Sequence, residues 1–407
     1  MREVVLVGGV RTPVGVHGGA LRDQRAQDLA KIVLEEQIKR TGLDPSLIDD
    51  VILGCIGQPS DAANIARVAA LMAGVPEYVP GYTVQRNCAS SLQAITSAYQ
   101  AIQADDGELF LVGGTESMST IPYVIKGARW GLKLRHSQLT DALWEGLTDP
   151  IAKQIMGRTA ENLAEQYEIS RQEQDEYAVQ SHKKAFMATR QDKFKDEIVP
   201  VEIVKRVAGQ EVAREQITQD ESINIALSVQ KAAMYPTVFK ENGTVTPANA
   251  CPISDGAAAL LVTTPEKAKS LGLQPRARIV AYDYAAVNPA IMGIGPARAI
   301  PKMFAKMKRR GITLSFDEVE LIELNEAFAA QVLAVNKELA VQGYHLDWNK
   351  VNVNGGAIAL GHPVGATGAK ITVTLMHEMA RRGARYGIST MCVGGGQGGA
   401  MLIENIG

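Results

Sequence analysis

"ELFLVGGTES" spans Glu108–Ser117 and "ISTMCVGGGQG" spans Ile388–Gly398. Both are apolar runs that stop at adjacent glycines, as a buried strand does before a sharp turn. Each belongs to a set. "DDVILGC" (Asp49–Cys55) precedes the first and "DEVELIELNE" (Asp317–Glu326) precedes the second. "DGAAALLV" (Asp255–Val262) follows the first and "GGAMLIE" (Gly398–Glu404) follows the second. These echoes in one shared order read as an internal duplication of a β/α unit.

The segments between them complete the unit. Val4–Val7 is a strand candidate ending in Gly8-Gly9, and Asp50–Leu53 and Leu109–Val112 are two more. Helical periodicity covers Asp28–Arg40, which stops at Gly42, and Ser90–Ile102, rich in Ala and Gln. This alternation predicts an α/β fold with a largely parallel sheet. From about Ser117 to Asn249 the alternation fades and charges thicken. "ENLAEQYEISRQEQDEYAVQSHKKAFMATRQ" (Glu161–Gln191) reads as helix, with Ser170 an N-cap for its second part. The middle is thus expected to be an inserted helical and loop region.

Composition narrows the function. Of 407 residues, 46% are hydrophobic and 21% charged, ordinary for a globular protein with a sizeable core. The net charge of −2, from 42 basic and 44 acidic residues, supplies no field for nucleic acid or an anionic membrane. Cys55, Cys88, Cys251 and Cys392 lie far apart, without CxxC pairs, so a reducing, cytoplasmic setting and no metal site are expected. "MREVVLVGGVRTPVG" reads as a first strand and not as a signal peptide, and no apolar run reaches the ~18 residues of a membrane span.

Four places could carry chemistry. In "VQRNCASSLQAI" (Val84–Ile95), Cys88 precedes small residues and a predicted helix. There the helix dipole lowers a thiol's pKa, and free N–H groups face an incoming carbonyl oxygen; an inert buried thiol is the competing reading. In "NVNGGAIALGHPVGATGAK" (Asn352–Lys370), His362 lies among five glycines, at 355, 356, 361, 365 and 368, where backbone can approach another group closely. The pattern is neither G-x-G-x-x-G after a strand nor a Walker sequence, which argues against a phosphate loop. In "MCVGGGQGGAM" (Met391–Met401), Cys392 is either a buried strand residue or a second thiol beside oxyanion-binding N–H groups. In "IELNEAFAAQ" (Ile322–Gln331), Asn325 and Glu326 stand where strand passes into helix, as a cap or as holders of water or ligand.

Together these segments resemble the thiolase family. The resemblance runs from "RTPVG" (Arg11–Gly15) through the Cys88 segment, "VGGTESMS" (Val112–Ser119), "NGTVTPANACPISDGAAAL" (Asn242–Leu260), "NEAFAAQ" (Asn325–Gln331) and "GGAIALGHPVGATGA" (Gly355–Ala369) to "CVGGGQGGAM" (Cys392–Met401). It implies a five-layered αβαβα fold from two duplicated halves, at 1–268 and 269–407, with a loop domain inserted at about 117–249. It implies reversible Claisen condensation of acyl-CoA with acetyl-CoA, or thiolysis of 3-ketoacyl-CoA, through an acyl-enzyme on Cys88. His362 matches the base for Cys88, and Cys392 the acid/base at the α-carbon. Asn325 matches the residue that holds a water; that water and His362 form one oxyanion site, and the N–H groups of Cys88 and Gly394 the other.

Coenzyme A thioesters are the implied substrates, with no tightly bound cofactor. "IMGRTAENLAE" (Ile155–Glu165) resembles the part lying along the pantetheine arm, so Met156, Cys251, Ala327 and Phe328 are expected contacts. Ile155 stands where short-chain relatives often place His, which favours an enzyme that also takes longer chains. The alternatives are a dedicated acetoacetyl-CoA thiolase and a non-catalytic acyl-CoA-binding subunit. A decarboxylating ketoacyl synthase would pair Cys with two histidines; Cys392 at the second position argues against it. The resemblance further implies a homodimer or homotetramer.

Overall fold

The computed structural model describes residues 2–207 and 210–407. Its main sheet has ten strands. In chain order they include β1 (Val5–Arg11), β2 (Asp50–Gly54), β3 (Gly81–Val84), β4 (Leu109–Ser117) and β5 (Ser254–Thr263). The second half supplies β6 (Pro275–Ala286), β7 (Leu321–Leu324), β8 (Tyr386–Val393) and β9 (Gln397–Asn405). The order across the sheet is β7-β8-β9-β6-β1-β5-β4-β2-β3, and the tenth strand, Gly15–Val16, pairs with β5.

The sequence echoes fall on matching strands. "DDVILGC" becomes β2 and "DEVELIELNE" becomes β7, each parallel to the strand that ends in a key motif, β4 or β8. That strand is antiparallel to β5 or β9, which is antiparallel to β1 or β6. The halves join where β1 meets β6. The expectation of a largely parallel sheet is therefore corrected. Parallel pairs occur only at β2–β3, β2–β4 and β7–β8 among the described residues, and the remaining ladders are antiparallel. Apolar runs look alike in both cases, because a strand buried on both faces is apolar throughout whatever its direction.

Helices cover both faces. Among the described residues, the helices of eight residues or more are α1 (Ala26–Thr41), α2 (Ile65–Met72), α3 (Ser90–Ala104), α4 (Met156–Gln166), α5 (Arg171–Arg190), which packs on other helices, α6 (Pro296–Arg309), α7 (Ala329–Val341) and α8 (Thr367–Arg382). Alternate side chains along a strand feed different layers. Ile52, Val112 and Leu260 from the first half, with Met391, Met401 and Ile403 from the second, enclose α3 and α8 through Leu92, Ile95, Ala369 and Val373. Leu53, Leu111 and Leu261 point the other way, onto Leu29, Val33, Ala66 and Ala69 of α1 and α2. Ile322, Ile388 and Leu402 meet Ile300, Met303, Val332 and Val335 of α6 and α7. These are the five layers, with α3 and α8 in the middle. Each fully buried Leu, Ile or Val contributes about 1.5–3 kcal/mol relative to exposure.

The glycine pairs do not end their strands. β4 runs on through Gly113-Gly114 to Ser117, and β1 passes Gly8-Gly9 through a bulge to Arg11. The reason at β2 and β4 is close approach. A Cβ on Gly54 would lie 2.4 Å from Ser90 C, and one on Gly114 would lie 2.4 Å from the Gly365 carbonyl oxygen. The start of α3 and the segment after His362 thus rest directly on the sheet.

Between Met118 and Asn249, no described strand joins the main sheet. Two short pairs form, Tyr123–Val124 with Thr140–Asp141 and Thr148–Asp149 with Gln154–Ile155, followed by α4 and α5 and the hairpin Val201–Val207/Gln210–Ile217. Ser170 closes a capping box with Glu173 at the start of α5, as its spacing predicts, a contribution of about 1 kcal/mol.

Candidate active site

Cys88 lies at the turn from β3 into α3, two residues before the first helical residue, Ser90. Asn87 holds φ 41°, a left-handed conformation that Asn tolerates. Its Nδ2 donates to the Gly394 carbonyl at 2.7 Å, tying this turn to the β8–β9 hairpin. Ser90 N donates to Asn87 O at 3.0 Å, and Arg86 N donates to Ser90 Oγ at 2.9 Å, which closes the turn. The sulfur is half-buried, and the backbone N–H groups of Gly394 and of Cys88 itself are directed at it. Burial pushes the thiol pKa up, and these two N–H groups pull it partly back. This corrects the expectation of a lowered pKa: desolvation outweighs the helix terminus, so the resting group is a thiol.

His362 is buried near the start of the loop that joins the short helix Ala357–Leu360 to α8. Its backbone N–H donates to Ser254 Oγ at 3.0 Å. Thr367 Oγ1 donates to Pro363 O at 2.9 Å, so it accepts from His362 Nδ1–H at 2.6 Å. That network assigns the proton to Nδ1 and leaves Nε2 bare. Burial, reinforced by the nearby Lys370 ammonium, lowers the imidazole pKa to about 3, so the ring is neutral at rest.

Asn325 follows β7. It does not cap α7, whose N-cap is Phe328 without a side-chain bond. Instead Asn325 Nδ2 lies 3.4 Å from His362 Nε2, and its buried Oδ1 has no partner. Glu326 is occupied elsewhere, accepting from Tyr177, Ser181 and Asn352 side chains and from Ile358 N.

Cys392 is fully buried near the end of β8, and burial, then the neighbouring Cys88 and Cys251 thiols, push its pKa well above the usual range. The turn that follows needs φ 81° at Gly395 and 77° at Gly396, which closes Val393 onto Gln397. Cys251 is also raised, to about 12, by burial and then by Cys88. Its N–H donates to the Ala327 carbonyl at 3.0 Å, and Ala250 bridges Phe328, so these expected contacts form one strip. Met156 opens α4, with its sulfur 3.5 Å from where a Cβ on Gly394 would sit.

A cavity of about 650 Å³ opens onto Cys88, Asn87, Gly394 and Met156. Its apolar wall comes from the insertion and adjoining loops: Met118, Ile121, Leu143, Leu147 and Val364 pack on one side together with Ile56 and Cys88. Ile155 does not line it, being paired with Thr148, and so gives no direct ground for chain-length preference. Thr367, Ser254, Asn87 and the wall residues Ile56, Met118, Ile121, Leu143, Leu147 and Val364 went unrecognised in the sequence. Thr367 carried a signal, since it stands five residues after His362 in the same motif.

A sulfur flanked by two N–H donors, with neutral imidazole on an adjoining segment, can take an acyl group and release it. A duplicated five-layer fold carrying such a site defines a class of acyltransferase. The chain belongs to the thiolase family: residues 4–266 match the thiolase N-terminal domain and residues 273–405 the thiolase C-terminal domain. It is 44% identical over 405 residues to a "Probable acetyl-CoA acyltransferase" of Staphylococcus aureus, covering 99% of each chain. It is 48% identical to the crystal structure of the Bacillus anthracis acetyl-CoA acetyltransferase, with TM-score 0.94 over 100% of this chain and 99% of that one. For human mitochondrial 3-ketoacyl-CoA thiolase in complex with CoA, the identity is 39% and the TM-score 0.92, over 100% of this chain and 98% of that one. The protein is an acyltransferase of the thiolase type. Among the described residues, no helix is long and apolar enough to cross a membrane.

Proposed function

We propose that Cys88 carries the acyl group in a reaction that joins two acyl-CoA units or cleaves a 3-ketoacyl-CoA. The observation that supports it best is the convergence of the Gly394 and Cys88 N–H groups on one sulfur. Those donors would receive the thioester oxygen as negative charge develops, and losing one such donor can cost ~10²–10³ in rate. His362 Nε2 takes the thiol proton as sulfur attacks the carbonyl carbon; the coenzyme A thiolate leaves and takes that proton from His362. Asn325, whose Oδ1 is free, holds a water that donates to the enolate oxygen of the second acyl unit; His362 joins it as a donor in the thiolysis direction, where Nε2 carries the proton taken from Cys88. Cys392, a thiol at rest, gives its proton to that unit's α-carbon in thiolysis, and as the thiolate so formed takes one back in the reverse, condensing direction. Met156, Cys251, Ala327 and Phe328 border the pantetheine path, in keeping with a relative crystallised with CoA.

Cys392→Ser tests this division of labour. The variant should still accept an acetyl group on Cys88 from acetyl-CoA, read by intact mass. It should lose exchange of the acetyl-CoA methyl protons by about 10²–10⁴-fold. Equal loss of acylation and exchange would defeat the assignment.

The cavity supports a substrate range extending beyond acetoacetyl-CoA. Each methylene buried against Leu143, Leu147 and Val364 can add up to about 0.8 kcal/mol, roughly fourfold in affinity. Thiolysis kcat/KM should therefore hold or rise from C4 to C8 substrates, and Leu143→Trp should depress C8 more than C4. A steep fall after C4 in the parent protein would instead mark a dedicated acetoacetyl-CoA thiolase.

Assembly as a homodimer, or a pair of such dimers, is our reading of the β3 edge, where Tyr78, Tyr82 and Leu71 are exposed beside the last strand of the sheet. A monomer by light scattering at micromolar concentration would refute it.

A further inference from the structure

We propose that Glu116 is a positioning residue for the reaction, its buried carboxylate clamping the cavity wall at Ile56–Gly57 to the segment that carries His362. The proposal rests on the roles given above to Cys88 and His362. Glu116 belongs to β4 and is wholly buried. Its Oε1 accepts from Gly57 N at 2.8 Å; its Oε2 accepts from Ile56 N at 3.0 Å and from Gly365 N at 2.9 Å. The Cys55 thiol lies 3.8 Å from Oε1. One carboxylate thus gathers peptide groups from two segments far apart in the chain, and bonds to a charged acceptor are about twice as strong as neutral ones. Ile56, Gly57 and Val364 share the cavity with Cys88, and Gly365 is three residues beyond His362. The fit is close, since a Cβ on Gly365 would meet Oε2 at 2.6 Å.

The charge has a second effect. It opposes ionisation of Cys88, adding to the larger effect of burial. Burial raises the Glu116 pKa to about 6 against the pull of its three N–H donors, so the group is ionised at neutral pH. Glu116 therefore fixes the geometry of the site while favouring a protonated resting nucleophile.

Glu116→Gln separates this from passive packing. The amide retains the shape but turns an –NH₂ toward a backbone N–H and removes the charge. In the full-length protein we expect kcat for thiolysis to fall about 10- to 100-fold, with KM for both substrates within about threefold. The pH profile for alkylation of Cys88 by iodoacetamide should shift to lower pH. Glu116→Asp keeps the charge; it should retain more kcat than the Gln variant and show no acid shift, and it carries the kcat comparison if the Gln variant does not fold. Unchanged kcat in the Gln variant, or equal losses in Gln and Asp variants with no shift in the profile, would overturn the proposal. An acetyl mass on Cys88 in the parent protein distinguishes these outcomes from failure of the underlying assignment.

Discussion

Cys88→Ala should leave the protein folded and unable to take an acetyl group from acetyl-CoA, with thiolysis reduced on the order of 10⁵-fold. The fold should survive, because the side chain is half-buried and its removal opens no deep void. The turn around it is held by the Asn87, Ser90 and Gly394 bonds, none of which uses the Cys88 side chain. The oxyanion N–H groups also remain, so the variant should still bind substrate. What disappears is the sulfur, which alone can be both strong nucleophile and good leaving group here. Cys392 and Cys251 do not replace it, since burial holds both thiols far from ionisation at neutral pH. Intact-mass analysis after incubation with acetyl-CoA is the measurement. An acetyl adduct on another residue, with turnover retained, would sink the assignment.

How far such a site is visible in one sequence depends on the kind of constraint. Cys88, His362, Asn325 and Cys392 stand out because each places a reactive group where chain pattern changes, and their motifs resemble one family in order and spacing. The duplication was legible for a similar reason, since both halves repeat the same strand types. Strand direction was not legible, because burial on both faces erases the alternation that marks an antiparallel edge. The end of β4 was misplaced because Gly114 serves close approach to distant Gly365, and that of β1 because Gly8-Gly9 forms a bulge within the strand. The Cys88 pKa went the wrong way because a helix terminus is local, whereas desolvation depends on everything packed around it. Thr367, Ser254 and Glu116 act through bonds whose partners lie up to 249 residues away, and only the fold brings those together.

His362→Ala should slow acylation of Cys88 by about 10²–10⁴-fold at neutral pH while leaving substrate binding largely in place. In the parent protein both members of the pair are neutral at rest: burial holds the thiol protonated and the imidazole unprotonated. The proton must then move from sulfur to Nε2 while the carbon–sulfur bond forms, and Thr367 holds the ring with Nε2 unprotonated. Without the ring, attack has to wait for the small fraction of Cys88 that ionises to solvent. Below the raised thiol pKa that fraction grows about tenfold per pH unit, so the variant's acylation rate should climb with nearly that slope. The parent's rate should depend far less steeply on pH over the same range. Lys370 sharpens the expectation. Its charge is one cause of the low imidazole pKa, so imidazolium formed during attack is unstable and returns its proton readily to the leaving thiolate. Single-turnover acetylation followed by mass at several pH values gives both rate and slope. A variant that acylates at the parent's rate, or one that is slow with no added dependence on pH, would show that His362 is not the base for Cys88.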